Sequence, residues 1–220
     1  MDKIKKSHLV MGEIPELKFK INEKIASSLK ESLAGKLKNS YCEEDLYFEK
    51  LRNDKPSYTY YTMGASLMIR KHGRQHLLVY KEPRMLARGI IKVREEVRVP
   101  FSSKNRMRSL LKRLGVRPPK YISFESVLDA LSKSYKPMGY VIKERDVYVP
   151  SEDMKVMIDR LVFTDSLFHK FSYNNPLQVM EIRGQIDKIY AMKEKLNIKD
   201  NILVKNNYRL LIEAGLHDNT

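Results

Sequence analysis

The sequence predicts an α+β fold in which a closed eight-stranded antiparallel β-barrel carries helices packed outside it. Five short segments alternate charged with apolar residues, so a strand formed by each has one charged and one apolar face. Helical patterns lie between groups of these segments, with apolar residues every three or four positions. Five charged faces favour a closed sheet with a polar interior. No strong linker divides the 220 residues, so we expect one domain over 1–220.

The charged faces predict which side chains enter the barrel. The five alternating segments are 14–20, 92–99, 141–147, 157–161 and 179–183. A hairpin of two further strands, 66–70 and 76–81, is predicted around a turn that contains Gly73. The charged residues that the five alternating segments are expected to point inward are Glu16, Lys18, Lys20, Arg94, Glu96, Arg98, Lys143, Arg145, Asp159, Glu181 and Arg183.

The other segments complete the predicted order of elements. Asn22 is expected to cap a helix that runs through Ile25, Leu29 and Leu33. Residues 36–57 are polar and predict no regular element, whereas the tyrosines and threonines of 58–63 favour a strand. The remaining predictions are a helix with a leucine stripe from 104, a second helix through Phe124 and Leu131, paired strands at 140–149 and 154–163, and helices at 185–197 and 204–215.

Composition limits the class of partner. The net charge is +15 and the pI is about 9.7, which point to nucleic acid, nucleotides or inorganic phosphates. A single cysteine, Cys42, excludes an internal disulfide and a cysteine-based zinc site. No apolar run approaches the roughly 18 residues needed to span a bilayer, so we expect a soluble cytoplasmic protein. The basic side of the helix at 104–113 is interpreted as a solvated surface, with a nucleic-acid groove as the alternative.

Motifs in this order resemble the CYTH superfamily, also called the triphosphate tunnel metalloenzymes. Ile14-Pro-Glu16-Leu-Lys18 is similar to the family's opening Glu-x-Glu-x-Lys strand, and Lys143-Glu-Arg145 to its Lys-x-Arg motif. Further matches are Leu67-Met-Ile-Arg70, Leu78-Val-Tyr-Lys81, Arg94-Glu-Glu96-Val-Arg98, Asp159, Glu181-Ile-Arg183 and Asn207-Tyr208-Arg-Leu-Leu211. The chain departs from the family where Ile14, Arg98 and Arg183 stand in place of glutamates, and where Met68 replaces an arginine.

The resemblance implies binding and metal-dependent hydrolysis of a triphosphate-containing substrate. The organic part of the substrate stays open among a nucleotide, thiamine, free polyphosphate and an RNA 5′ end. The implied substrate-binding residues are Lys18, Lys20, Arg70, Lys81, Arg94, Arg98, Lys143, Arg145 and Arg183. The implied catalytic carboxylates are Glu16, Glu96 and Glu181. One Mg²⁺ or Mn²⁺ site, rather than two, is expected at Glu16, Asp159 and Glu181.

The missing glutamates leave an alternative open. Arg98 beside Glu96 and Arg183 beside Glu181 are able to form internal salt bridges in place of metal coordination. The barrel is then a catalytically silent tunnel that binds phosphorylated ligands or nucleic acid. RNA or another nucleic acid is accordingly an expected partner under either interpretation.

Overall fold

The computed structural model describes residues 15–85, 92–164, 176–198 and 207–217. The strands are β1 Glu16–Ile21, β2 Leu37–Arg52, β3 Lys55–Pro56, β4 Ser66–His72, β5 Gln75–Met85, β6 Lys92–Pro100, β7 Tyr135–Ser151, β8 Met154–Thr164 and β9 Leu177–Arg183. The helices are α1 Glu23–Ser32, α2 Thr59–Met63, α3 Lys104–Arg113, α4 Phe124–Ser132, α5 Ile186–Lys195 and α6 Asn207–His217. Ile14 lies outside the described residues, and Arg94 is described by its backbone alone.

Eight antiparallel strands form a closed ring. The hydrogen-bonded order is β2-β4-β5-β6-β1-β9-β8-β7, and the pairing of β2 with β7 returns the sheet to its first strand. The two-residue strand β3 pairs only with the end of β2. The prediction of an eight-stranded antiparallel barrel is confirmed. Side chains of alternate residues therefore line its interior.

The prediction that residues 36–57 are irregular is wrong. Most of this segment is β2, which pairs along one edge with β4 and along the other with β7. Its inward residues Glu43, Asp45 and Tyr47 are buried, and so are the outward Leu46 and Phe48. The first half of the strand is polar on both faces, which hid the alternation.

The prediction of a strand at 58–63 is also wrong, because this segment forms the short helix α2. The carboxylate of Glu49 accepts hydrogen bonds from the backbone N–H groups of Tyr60 at 3.1 Å and Tyr61 at 3.2 Å. Gly64 ends the helix in the left-handed conformation with φ 70°. A buried carboxylate at the helix start outweighs the β-propensity of the tyrosines and threonines.

The other predicted helices and strands are confirmed within the described residues. Asn22 caps α1, since its Oδ1 accepts a hydrogen bond from the Ile25 N–H at 2.8 Å. Helices α3, α4 and α6 contribute to an apolar cluster with β2, β4 and β5, whereas α1 and α5 pack against β1, β8 and β9. Among the described helices, none is long and apolar enough to cross a bilayer. The helices thus cover the wall and leave the interior to the charged side chains.

Candidate functional site

The interior of the barrel holds an extensive set of ion pairs. Its cations are Lys18, Arg70, Lys81, Arg98, Lys143, Arg145 and Arg183, and its carboxylates are Glu16, Glu43, Asp45, Glu96, Asp159 and Glu181. Most of these side chains are buried, but 43% of Arg98 and 27% of Arg183 are exposed. Both arginines point inward, as predicted.

The first group of ion pairs joins β2, β4 and β7. The Arg70 guanidinium donates to both oxygens of Asp45, with Nε–Oδ1 at 2.6 Å and Nη2–Oδ2 at 2.7 Å. Its Nη1 lies 3.3 Å from Oε2 of Glu43, which also contacts Lys143 Nζ. Burial would raise the pKa of Asp45, but Arg70 outweighs burial and lowers it to about 2. Asp45 therefore stays ionised.

Within this group, Lys143 is the cation that loses its proton most readily. Burial, followed by repulsion from Arg70 and Arg145, lowers the pKa of Lys143 to about 8 despite the attraction of Asp45 and Glu43. Glu43 keeps its charge, because Lys143 and Arg70 outweigh burial and lower the pKa of its carboxyl.

The second group joins β1, β7, β8 and β9 around Glu181. Arg145 donates to both oxygens of Asp159, at 2.6 and 2.5 Å, and its Nη2 lies 3.3 Å from Glu181. Lys18 Nζ lies 3.2 Å from the same Glu181 oxygen, and Arg183 contacts the other oxygen. Burial opposes ionisation, but Arg183, Lys18 and Arg145 hold the pKa of Glu181 well below its usual range.

A third group joins β5 and β6. Glu96 accepts a hydrogen bond from Arg98 at 2.9 Å and forms an ion pair with Lys81, whose Nζ lies 3.0 Å from its Oε1. Burial would raise the pKa of Glu96, but these two cations lower it below its usual range. Glu96 is consequently a partner of two cations and not a protonated acid.

The cations form the surface of the small central cavity, and most carboxylates lie behind them. The cavity is lined by Lys18, Tyr47, Ser66, Arg70, Lys81, Arg98, Lys143, Arg145, Glu181, Arg183 and Asn207. Glu181 is its one acidic lining residue within the described part of the chain. The side chains leave about 20 Å³ of open volume, roughly the space of one water molecule.

Seven of the nine predicted substrate-binding residues line this cavity. Arg94 is not described beyond its backbone, and Lys20 differs from the prediction. Lys20 is exposed and borders an outer cavity with Lys24 and Ile25, because it lies near the end of β1, where the chain turns into α1. Sequence reasoning missed Glu43, Asp45, Tyr47, Ser66 and Asn207. The alternation of Glu43, Asp45 and Tyr47 was the signal for the first three.

The residues expected to bind a divalent metal do not fit that role as they are arranged. Glu16 lies 3.2 Å from Arg183, Asp159 accepts hydrogen bonds from Nε and Nη2 of Arg145, and both oxygens of Glu181 contact cations. In the described ranges, no group of three histidine, cysteine, aspartate or glutamate side chains is placed to hold a metal ion. Arg183 contacts both Glu16 and Glu181, so a cation of the chain itself already neutralises these two glutamates.

Comparisons with solved structures identify the fold. The PH1819 protein of Pyrococcus horikoshii aligns with a TM-score of 0.61 at 16% sequence identity, over 91% of this chain and 98% of that one. HpAC1 of Hippeastrum, assigned as an adenylyl cyclase and described as having a dominant triphosphatase activity, gives 0.59 at 13% identity, over 91% and 95%. A Bacillus halodurans protein assigned as an adenylate cyclase gives 0.53 at 14% identity, over 87% and 93%.

No protein-family model matches the chain, and no curated protein matches it in sequence. At these identities the structural likeness establishes the fold alone. The chain shares the fold of these proteins, a closed antiparallel tunnel with helices outside it, which is the fold that its resemblance to the CYTH superfamily predicted.

Proposed function

We propose that the tunnel binds the triphosphate group of an anionic ligand through its lysines and arginines, without a metal held by its carboxylates. The observation that carries this proposal is the cavity lining, in which seven cations face one carboxylate. Arginine binds phosphoryl oxygens in bidentate geometry and lysine acts as a point charge. Cations on several strands are able to contact successive phosphoryl groups, which favours triphosphate over orthophosphate.

Binding requires an exchange of partners, because the open volume is too small for a phosphoryl group. Each cation that turns towards the ligand leaves a carboxylate such as Glu43 or Glu96, and one charge-assisted contact replaces another. The described interior has seven cations and six carboxylates. A highly charged anion would make this interior strongly negative, so its binding is expected to be coupled to proton uptake.

A thermal-shift titration with tripolyphosphate, ATP and orthophosphate in EDTA tests this proposal. Arg98→Gln removes an interior cation that is 43% exposed, and Arg160→Gln removes a matched outer one that is 41% exposed and also paired with a single carboxylate. We expect tripolyphosphate to stabilise the protein most, with about tenfold weaker affinity in Arg98→Gln and less than a twofold change in Arg160→Gln. Equal stabilisation by all three anions, or equal losses in both variants, contradicts the proposal.

Hydrolysis of the bound triphosphate is a second candidate, favoured by the ion pair of Lys143 with Glu43. A lysine with a pKa of about 8 is able to donate a proton near neutral pH. Water would attack the terminal phosphorus and pass a proton to a nonbridging oxygen of that phosphoryl group as the bond to the bridging oxygen breaks. Lys143 would give its proton to the departing oxygen, so that the two transfers balance. The triphosphatase activity described for HpAC1 is consistent with this chemistry.

Phosphate release measured with Mg²⁺, with Mn²⁺ and with EDTA separates binding from hydrolysis. In Lys143→Arg the charge remains but the proton donor is lost, so we expect binding to persist and turnover to fall at least 100-fold. Tight binding without release in any condition rules out the second candidate and leaves the first. Turnover that requires a metal and disappears in Glu181→Gln contradicts the metal-free proposal.

A further inference from the structure

A second cationic surface lies outside the tunnel, on α3 and the loop that follows it. Between 100 and 123 the chain carries seven basic residues and no acidic one. We define the basic strip as Lys104, Arg108, Lys112, Arg113, Arg117 and Lys120. Within the part of the chain that the structure describes, no carboxylate forms an ion pair with Lys104, Lys112, Arg113, Arg117 or Lys120.

The charges in the first turn and along one side of α3 oppose the stability of the helix, whereas Lys112 and Arg113 in its last turn favour it. Lys104, Arg108 and Lys112 are spaced four residues apart, so like charges are neighbours along about 12 Å of helix. The first turn contains Lys104 and Arg106 and no acidic residue, which opposes the helix dipole. By contrast, α1 and α4 have acidic residues in their first turns and side-chain N-caps. The stability of the helix does not explain why these basic residues are present. Binding of a polyanionic partner would explain them.

The loop after α3 holds an aromatic ring beside the strip. Tyr121 is 73% exposed, the highest fraction among the large hydrophobic residues described as exposed. Its carbonyl accepts from Ser126 Oγ at 2.7 Å, and the preceding carbonyl, of Lys120, accepts from Arg108 Nη2 at 2.8 Å. Lys120 Nζ lies 5.4 Å from the centre of the Tyr121 ring. Hydrogen bonds therefore hold the backbone that carries the Tyr121 ring, and the ring itself is exposed to solvent beside the basic strip.

We infer that the basic strip binds a single-stranded nucleic acid, with the cations on its phosphates and Tyr121 stacked on a base. Exposed aromatic side chains beside a cationic track are the features that bind single strands without reading their sequence. An anionic membrane fits less well, because α3 directs its leucines into the apolar cluster and Tyr121 is the single exposed large hydrophobic residue described on this surface. This inference stands apart from the tunnel and does not depend on the proposed function.

Fluorescence anisotropy with a 20-nucleotide single-stranded RNA that has a 5′-hydroxyl and a 3′ dye tests the inference. The 5′-hydroxyl removes any triphosphate that the tunnel could bind. The strip variant is Lys112→Gln, Arg113→Gln, Lys120→Gln, and the matched control is Lys24→Gln, Lys36→Gln, Lys38→Gln, three exposed lysines near α1. We expect the dissociation constant to rise at least tenfold in the strip variant and less than twofold in the control. The slope of log affinity against log salt should fall by about 2 in the strip variant.

Tyr121→Ala tests the stacking step separately, because it changes no charge. The expected result is at least a fivefold loss of RNA affinity with an unchanged salt slope. Equal losses in the strip and control variants, or an unaffected Tyr121→Ala, overturn the inference. Binding to phosphatidylserine vesicles but not to RNA overturns it as well, whereas equal binding of a single-stranded DNA supports backbone recognition. Arg98→Gln should leave RNA binding unchanged, because Arg98 lies in the tunnel and not on the basic strip. The inference about the strip and the proposal about the tunnel are therefore tested by different variants.

Discussion

At the scale of single residues, Lys143 links proton binding to both stability and ligand affinity. Its pKa is about 8 in the folded chain, below the 10.5 of an ordinary lysine. Between these values the unfolded state binds more protons, so stability should rise with pH by up to about 3 kcal/mol. Over the same interval the folded lysine loses its charge, so affinity for tripolyphosphate should fall.

Urea unfolding measures how stability changes with pH, and titration calorimetry measures how tripolyphosphate affinity changes with pH, both between pH 7.5 and 10. The two slopes should have opposite signs. Lys143→Arg should remove the lysine's contribution to both slopes, because arginine stays protonated throughout. Affinity that stays level across this range in the unmodified protein would show that Lys143 does not contact the ligand.

Arg183 stabilises two glutamates that would otherwise repel one another. Arg183→Glu places a third carboxylate beside Glu16 and Glu181 and removes their shared cation. We expect the melting temperature to fall in EDTA and to recover in millimolar Mn²⁺, because three converging carboxylates form a metal site that exists only in the folded state.

The control for this experiment is Arg183→Gln, which removes the same cation without adding a ligand. It should be destabilised in EDTA but gain no more from Mn²⁺ than the unmodified protein does. If both variants respond equally to Mn²⁺, the ion binds elsewhere and Arg183 does not occupy a metal position.

At the scale of elements, Glu49 on β2 joins two helices to the barrel. It is fully buried, caps the start of α2 and accepts a hydrogen bond from Tyr208 Oη of α6 at 2.8 Å. Glu49→Gln should cost about 1–3 kcal/mol, because an amide cannot accept at both of its terminal atoms. Tyr208→Phe should cost less, and the double variant should show coupling above about 0.5 kcal/mol. Chemical denaturation measures all three, with Tyr121→Phe as an exposed control.

Elements were predictable from the sequence wherever one face was consistently apolar. The alternation of β1, β7, β8 and β9 identified the barrel, and seven of the nine predicted cations lie at its cavity. Strand β2 was not predicted because the exposed Cys42 and the half-buried Glu44 alternate with the buried Glu43 and Asp45, so both faces are polar in the sequence. Helix α2 was not predicted because its cap, Glu49, lies ten residues before it in the sequence, and the local propensities of the segment do not include that contact.

At the scale of the whole molecule, the excess positive charge lies mainly outside the tunnel. The chain has a net charge of +15, whereas the cations and carboxylates of the described interior nearly balance. Exposed charges are screened by salt more strongly than buried ones. We expect RNA affinity to decrease with added salt at least twice as steeply, on logarithmic axes, as tripolyphosphate affinity. Matching slopes for the two ligands would place both on the outer surface.

The pairings of β2 with β7 and of β1 with β9 also determine when the fold is able to form during synthesis. Leu37 pairs with Tyr148, and Glu16 of β1 pairs with Arg183 of β9, so both seams join segments more than a hundred residues apart. Such non-local pairing makes folding slow, and a nascent chain that ends before 135 leaves one long edge of β2 without its partner. An unprotected edge favours association with other chains. Translation that stalls at that point should therefore yield aggregates, and fewer of them when a peptide spanning 135–151 is present during synthesis.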